Sequence, residues 1–398
     1  METSSRPLDG AMICRLRDDV SLEALERGAL SARHRYPLSA CVLRDRAWHP
    51  RFDRAPPIEV VEVEDERARH DRICEALARG FDLSSRPAVR QLLVRGDGFS
   101  ELVTLGHHAA ADVVSGLLWV SHQLQVASGR LPAVETEMPM AIPAMRRHPA
   151  PARKSAYAPP GRSTDLWRRE NEPSRSRRFA SVTFDPSSLQ SELQEQGFSY
   201  NDLLCAVLLD VFHAWNAGRG ASTRRLALWM GINIRSRPFS GYGNASSRVR
   251  VYPTKGPQSR LQERCLEIRE QVRWSKKHGE WAVPEDVALF RLPEPLMRAA
   301  VRAYLGRPWV DMASGTFSHV ERLSDRDDEE VFAEVERFEF IGALHRRYPF
   351  GVVAMSFRGE TTLTFTYDPA LLTDDDVSEL VGMTRERLDD AVRTLTTG

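Results

Sequence analysis

Cysteine is scarce and shows no pairing pattern. Cys14, Cys41, Cys74, Cys205 and Cys265 lie far apart, and no CxxC occurs. An odd, scattered set argues against a disulfide scaffold or a thiolate zinc site and makes a reducing, cytoplasmic setting the expectation. Net charge is lacking too, with 55 basic residues against 55 acidic ones. Dedicated nucleic-acid binders carry a large basic excess, so no nucleic-acid partner is expected. No apolar run approaches the ~20 residues needed to span a bilayer. The opening METSSRPLDG has none of the basic-then-apolar layout of a secretory signal.

Familiar catalytic signatures are missing as well. There is no GxxxxGK[ST], so a P-loop enzyme is not expected. The one GxG, Gly241-Tyr242-Gly243, sits between two strand-like stretches rather than at a strand-to-helix turn, and so fails as a dinucleotide fingerprint. Neither a GxSxG elbow nor an HExxH pair occurs, and no metal site is expected.

What the 398 residues do contain is apolar patterning throughout, 42% hydrophobic, enough for a substantial core. Residues 21–34 have helical spacing, with Ser21 as N-cap and Leu22, Leu25 and Leu30 on one face. IEVVEVE at 58–64 alternates with period two and reads as a strand, followed by a charged helix over 65–80. AVRQLLVRGDGFSELVTLG reads as a hairpin turning at Gly96-Asp97-Gly98, and an apolar helix follows from about Val113 to Val126. From Pro139 to Arg178 prolines and arginines accumulate, which forbids regular structure and marks a basic linker. Beyond it come strand FASVTF, helices near 187–196 and 201–215, and strands LALWMGINIR and SSRVRVYP. Helices near 258–275 and 284–305, strands near 312–320, 331–341, 351–357 and 361–367, and a helix over 374–393 complete the pattern. The expected division is a lobe over 1–138, a crossover linker over 139–178 and a second lobe over 179–398. Mixed order with hairpin-like pairs argues for α/β lobes rather than one parallel sheet.

Chemistry concentrates at His107-His108-Ala109-Ala110-Ala111-Asp112, between the second hairpin strand and the apolar helix. Adjacent strand residues point to opposite faces, so one imidazole faces the core and the other a cleft. Asp112 stands at the mouth of the helix, where a carboxylate caps amides and holds a guanidinium. A neutral imidazole in a fixed orientation is what proton abstraction from an alcohol or amine requires. A hydrogen-bonded structural pair at a strand end accounts for the same residues, so both readings stand at this point.

VTLGHHAAADVVSG resembles the HHxxxDG signature of the chloramphenicol-acetyltransferase-like superfamily, which includes condensation domains and alcohol and polyketide-associated acyltransferases. FDLSSRPAVRQLLVRGDGFSELVTLGHH is similar to that group's lead-in to the signature. GINIRSRPFSGYGNASSRVRVYP, SGTFSHVERL and TTLTFTYDPALLTDDDVSEL resemble later segments in the same order. The resemblance implies an α/β fold of two αβα lobes with mixed sheets, a pseudo-dimer with an active-site tunnel between the lobes.

It further implies an acyltransferase in secondary-metabolite or lipid biosynthesis. The donor would be acyl-CoA or an acyl-phosphopantetheine on a carrier protein, used as co-substrate with no tightly bound cofactor. The acceptor would be the hydroxyl or amine of a small molecule. His108 would be the general base, His107 its support, and Asp112 the partner of a structural ion pair to Arg235, with Arg237 as fallback. Asn244, Ser318 and His319 would line the tunnel, and Asn244 and Ser318 are candidates to meet an oxyanion or pantetheine amides. Val113 replaces the signature's glycine, which requires a right-handed first helical turn and places valine at the donor channel. The resemblance leaves two other readings: a condensation-type enzyme with carrier-bound substrates, or an altered binding or cyclising scaffold. The linker arginines, among them Arg168, Arg169, Arg177 and Arg178, form either a solvated strip or a docking strip for anionic phosphates or an acidic carrier protein.

Overall fold

The computed structural model describes residues 8–17, 20–52, 57–146, 156–157, 163–236, 241–253, 256, 258–281, 292–293, 295–297, 299–300, 303, 313–320, 328–344 and 350–396. The expected helix at 284–305 and the fallback Arg237 lie largely or wholly outside them. Two sheets face each other. The first has the order β11-β1-β6-β5-β4, formed by Val335–Ile341, Asp9–Leu16, Phe99–His107, Val89–Gly96 and Glu59–Glu62. The second has the order β7-β13-β12-β10-β8-β9, formed by Arg178–Phe184, Glu360–Tyr367, Phe350–Phe357, Gly315–Val320, Leu228–Asn233 and Ser246–Val251. Cys41–Arg44 (β2) and Ala47–Pro50 (β3) make a separate hairpin. Both sheets are mixed: β4 runs parallel to β5, and β10 parallel to β8 and β12, while the other pairs are antiparallel.

Side-chain alternation along the strands fixes the layers. Ala11, Ile13, Val103 and Leu105 pack on Ile73, Ala76 and Leu77 of helix α2 (Glu66–Ala78). Met12, Cys14 and Leu102, on the opposite face, pack toward α1 (Leu22–Arg35) and α3 (Val113–Ala127). On the second sheet, Leu228, Met230, Val249, Phe317, Val352 and Leu363 pack against α5 (Tyr200–Gly218), α6 (Leu261–His278) and the last helix, α7 (Asp374–Thr396). A short helix α4 (Gln190–Glu195) precedes α5. No described helix is long and apolar enough to cross a membrane.

Three particulars differ from the sequence-based expectation. Leu30 of α1 is 45% exposed, while Leu25, Gly28, Ala29 and Ala32 are buried. The helix face is set by close approach to α3: a Cβ at Gly28 would lie 2.3 Å from the Gln123 carbonyl oxygen. Second, β11 comes from the segment expected to form the second lobe, yet it pairs along β1 at the edge of the first sheet. The sheets therefore do not follow a simple division of the chain.

Third, the described parts of the linker are bound in. Ser236 N donates to Ala144 O and Arg146 N to Ile234 O, both at 2.7 Å. Gly241 adopts φ +78°, and a Cβ there would lie 2.7 Å from Pro143 N, so linker backbone presses directly on this turn. Arg177 is buried and donates to the Asp9 carboxylate. Arg169 pairs with Asp376 at 3.3 Å, and Arg178 pairs with Asp71 at 3.2 Å and Asp374 at 3.3 Å. These guanidiniums are committed within the protein, which corrects the notion that all of them form a free docking strip.

Candidate active site

Between the sheets lies a cavity of about 560 Å³. One wall comes from the first sheet: Gly10, Met12, Val89, Thr104, Gly106 and then His108. The facing wall comes from alternate residues of the second sheet: Trp229, Gly231, Arg248, Thr316, Ser318 and Val353. Register explains the selection. Gly231 opposes Arg248, Thr316 opposes both Trp229 and Gly351, and Ser318 opposes Val353, so all project from one face. Missing side chains keep the space open. A Cβ on Gly106 would have nothing within 4 Å, whereas one on Gly231 would meet Ser318 Oγ at 2.4 Å.

The two histidines part as strand geometry requires. His107 ends β6 and is 3% exposed. Its Nδ1 accepts from Ala109 N at 3.1 Å, and its ring meets Phe81 edge-on. Burial pushes the His107 imidazole down to about 4. A neutral ring is thus favoured there. His108 is half-buried and lines the cavity. Its Nδ1 lies 2.9 Å from the Ala111 carbonyl oxygen. A carbonyl can only accept, so Nδ1 carries the proton in that bond and Nε2 keeps the lone pair. The His108 backbone is fixed on both sides, its N–H donating to Leu8 O at 2.7 Å and its carbonyl accepting from Asn244 Nδ2 at 2.8 Å.

Asp112 locks the site to the second sheet. It caps α3 by accepting from Ser115 N at 2.9 Å, and its other oxygen accepts from Arg235 Nη1 at 2.5 Å and Ala245 N at 2.9 Å. Arg235 is 2% exposed and gives Nη2 to Ser115 Oγ and Gly243 O, both at 2.6 Å. Ser115 also donates to Gly243 O at 2.7 Å and accepts from Gly243 N at 2.9 Å. The sequence reading missed this serine, although its place three residues past an N-cap aspartate is a usable signal. Val113 begins α3 without positive φ, as the right-handed turn required, and borders the cavity.

No protein-family profile matches the chain, and no curated protein matches it in sequence. Solved structures do match. The first condensation domain of the calcium-dependent antibiotic synthetase aligns at TM-score 0.67 and 12% identity, over 98% of this chain and 91% of that one. A trichothecene 15-O-acetyltransferase from Fusarium sporotrichioides aligns at TM-score 0.65 and 12% identity, over 96% and 90%. The epimerization domain of the third module of tyrocidine synthetase B aligns at 0.57 and 13%, over 98% and 93%. The chain has the chloramphenicol-acetyltransferase-like fold. Condensation, O-acetyl transfer and epimerization all appear among the names of these proteins, so the fold by itself selects none of them.

Within this chloramphenicol-acetyltransferase-like fold the remaining expected residues separate. Ser318 lines the cavity. Asn244 lines it too: one N–H of Nδ2 goes to His108 O, and Oδ1 accepts from Ser246 N at 3.1 Å and Ser246 Oγ at 2.7 Å. It positions the histidine backbone with one of the two donors of its amide. His319 is turned away from the cavity, which corrects its expected role. As the next residue along β10 it faces the helical layer, with Nδ1 3.0 Å from Asn201 Oδ1 and Nε2 2.8 Å from Ser356 Oγ. Burial holds the His319 ring down at about 4. Among the described residues no group of three or more His, Cys, Asp or Glu side chains is placed to hold a metal ion.

Proposed function

We propose that the protein transfers an acyl group from a thioester, acyl-CoA or acyl-carrier protein, to a hydroxyl or amine in the cavity, with His108 as general base. The observation that carries this reading is the His108 ring itself. It borders the cavity of about 560 Å³, and its Nδ1 bond to Ala111 O leaves Nε2 as the basic atom. The acceptor gives its proton to Nε2 as its oxygen or nitrogen attacks the thioester carbonyl carbon. The tetrahedral intermediate then collapses, the carbon–sulfur bond breaks, and the imidazolium returns the proton to the departing thiolate. Holding both substrates between two fixed walls supplies proximity, and the base contributes typically ~10²–10⁴ in rate. Ser318 Oγ is the candidate donor to the developing oxyanion, since it lines the cavity opposite Gly231, where no side chain blocks it.

The test is thiol release from a panel of acyl-CoAs and acyl-carrier proteins, each offered alcohols and amines, with product mass measured. Turnover with CoA thioesters supports the stand-alone transferase, and turnover with carrier thioesters alone assigns a condensation-type donor. No thiol release from any donor overturns the reading. So does a His108→Ala protein that matches the parent.

A further inference from the structure

Among the described residues the cavity carries one uncompensated charge, and it is positive. Two fully charged side chains among them line it, Asp112 and Arg248. Asp112 is neutralised by Arg235 from behind the wall. Arg248 is exposed at the rim and, among the described residues, makes neither an ion pair nor a hydrogen bond. Its guanidinium is nevertheless held in place, 4.2 Å from the centroid of the half-buried Trp229 ring. Local sequence explains how. Arg248 sits opposite Gly231, and with no side chain on that partner it leans along the sheet onto Trp229. Arg250, two residues on, approaches the same ring at 4.2 Å but has a carboxylate in its surroundings, Glu280, and does not line the cavity.

A stacked, unpaired guanidinium beside a mostly apolar space is a recognition element. Stacking on the indole restricts its rotamers, and the planar fork keeps its donors for an oxyanion. We infer that Arg248, braced on Trp229, selects substrates bearing a carboxylate or phosphate that remains at the cavity mouth while the rest of the molecule enters toward His108. The inference takes its cavity from the proposed function but concerns binding, not acyl transfer.

Equilibrium binding by calorimetry, without a reaction partner, tests it with two matched probe pairs: 3-hydroxyoctanoate against its methyl ester, and coenzyme A against pantetheine. The parent should bind the anionic member of at least one pair about tenfold more tightly at low salt, with the preference shrinking as ionic strength rises. A preference in the first pair places the anion on the acceptor, and one in the second places it on the donor. Arg248→Gln should bring the ratio close to one while leaving the neutral probe's affinity unchanged. Arg248→Lys should recover part of it, and Arg250→Gln should leave it intact. Equal binding within both pairs, no binding of either anionic probe, or an unchanged ratio in Arg248→Gln overturns the inference. Selective binding without thiol release would leave Arg248 standing and remove the acyltransferase reading; thiol release without selectivity would do the reverse.

Discussion

Asp112 and Arg235 stand 123 positions apart in the chain and meet in a buried ion pair at 2.5 Å, Asp112 capping the helix after the histidines and Arg235 following a strand of the opposite sheet. Truncating one member leaves the other as a buried, uncompensated charge, a loss of about 3–5 kcal/mol. Asp112→Ala and Arg235→Ala should each lower the midpoint of chemical unfolding. The double variant should lose less than the two singles combined. Strict additivity in urea melts would show that the pair contributes no coupling.

His107 and His108 should fail differently. His108→Ala is expected to keep the parent's melting behaviour and lose at least ~10² in kcat. His107→Ala removes a buried ring that packs on Phe81, so stability should fall first. Paired melting and kinetic measurements separate the two. A His107 variant with intact stability and vanished activity would reverse the assignment.

Gly106 controls room. Its missing Cβ points into open space, so Gly106→Ala should fold normally, and a strand glycine replaced without strain should gain up to about 1 kcal/mol. Gly106→Leu should also fold but shift acceptance toward shorter acyl chains or smaller acceptors. An unchanged chain-length profile for the leucine variant, measured across the donor panel, contradicts this.

Stability should decline on mild acidification. Burial holds His107, His122 and His319 down at about 4. The unfolded chain has imidazoles near 6.5, so between those values it binds more protons than the folded protein. Their contribution is present above about pH 6.5 and is lost as pH falls toward 4, at up to about 1.4 kcal/mol per pH unit for each ring. Burial raises the Asp9 carboxyl, which opposes part of that slope. Urea titrations from pH 7 to 4.5 check the sign, and His319→Gln should flatten the curve by about one proton. Stability that rises on acidification over this range would contradict the scheme.

The sequence exposed whatever depends on local periodicity. Strands β4, β5 and β6, the Ser21 cap and the placement of His108 beside a helix capped by Asp112 follow from alternation and capping. Partner choice was less accessible. Nothing local distinguishes Val335–Ile341, which joins β1, from Phe350–Phe357, which joins the other sheet. His319 was misplaced because a one-residue step along β10 exchanges the cavity face for the helical face. Arg248 is not legible in the sequence, since its meaning depends on Gly231 and Trp229 across a strand pair.

Placing β11 at the edge of the first sheet has a consequence during synthesis. Asp9–Leu16 leaves the ribosome well before the strand that covers its outer edge, which ends at Ile341. At ~5–20 residues per second, β1 waits on the order of tens of seconds with one row of backbone donors and acceptors unpaired. A nascent chain in that state offers a ready template for another copy's strand. Translation speed and chaperone capacity, rather than final stability, should then set the yield of folded protein, and fragments ending before Val335 should aggregate even though they contain both histidines.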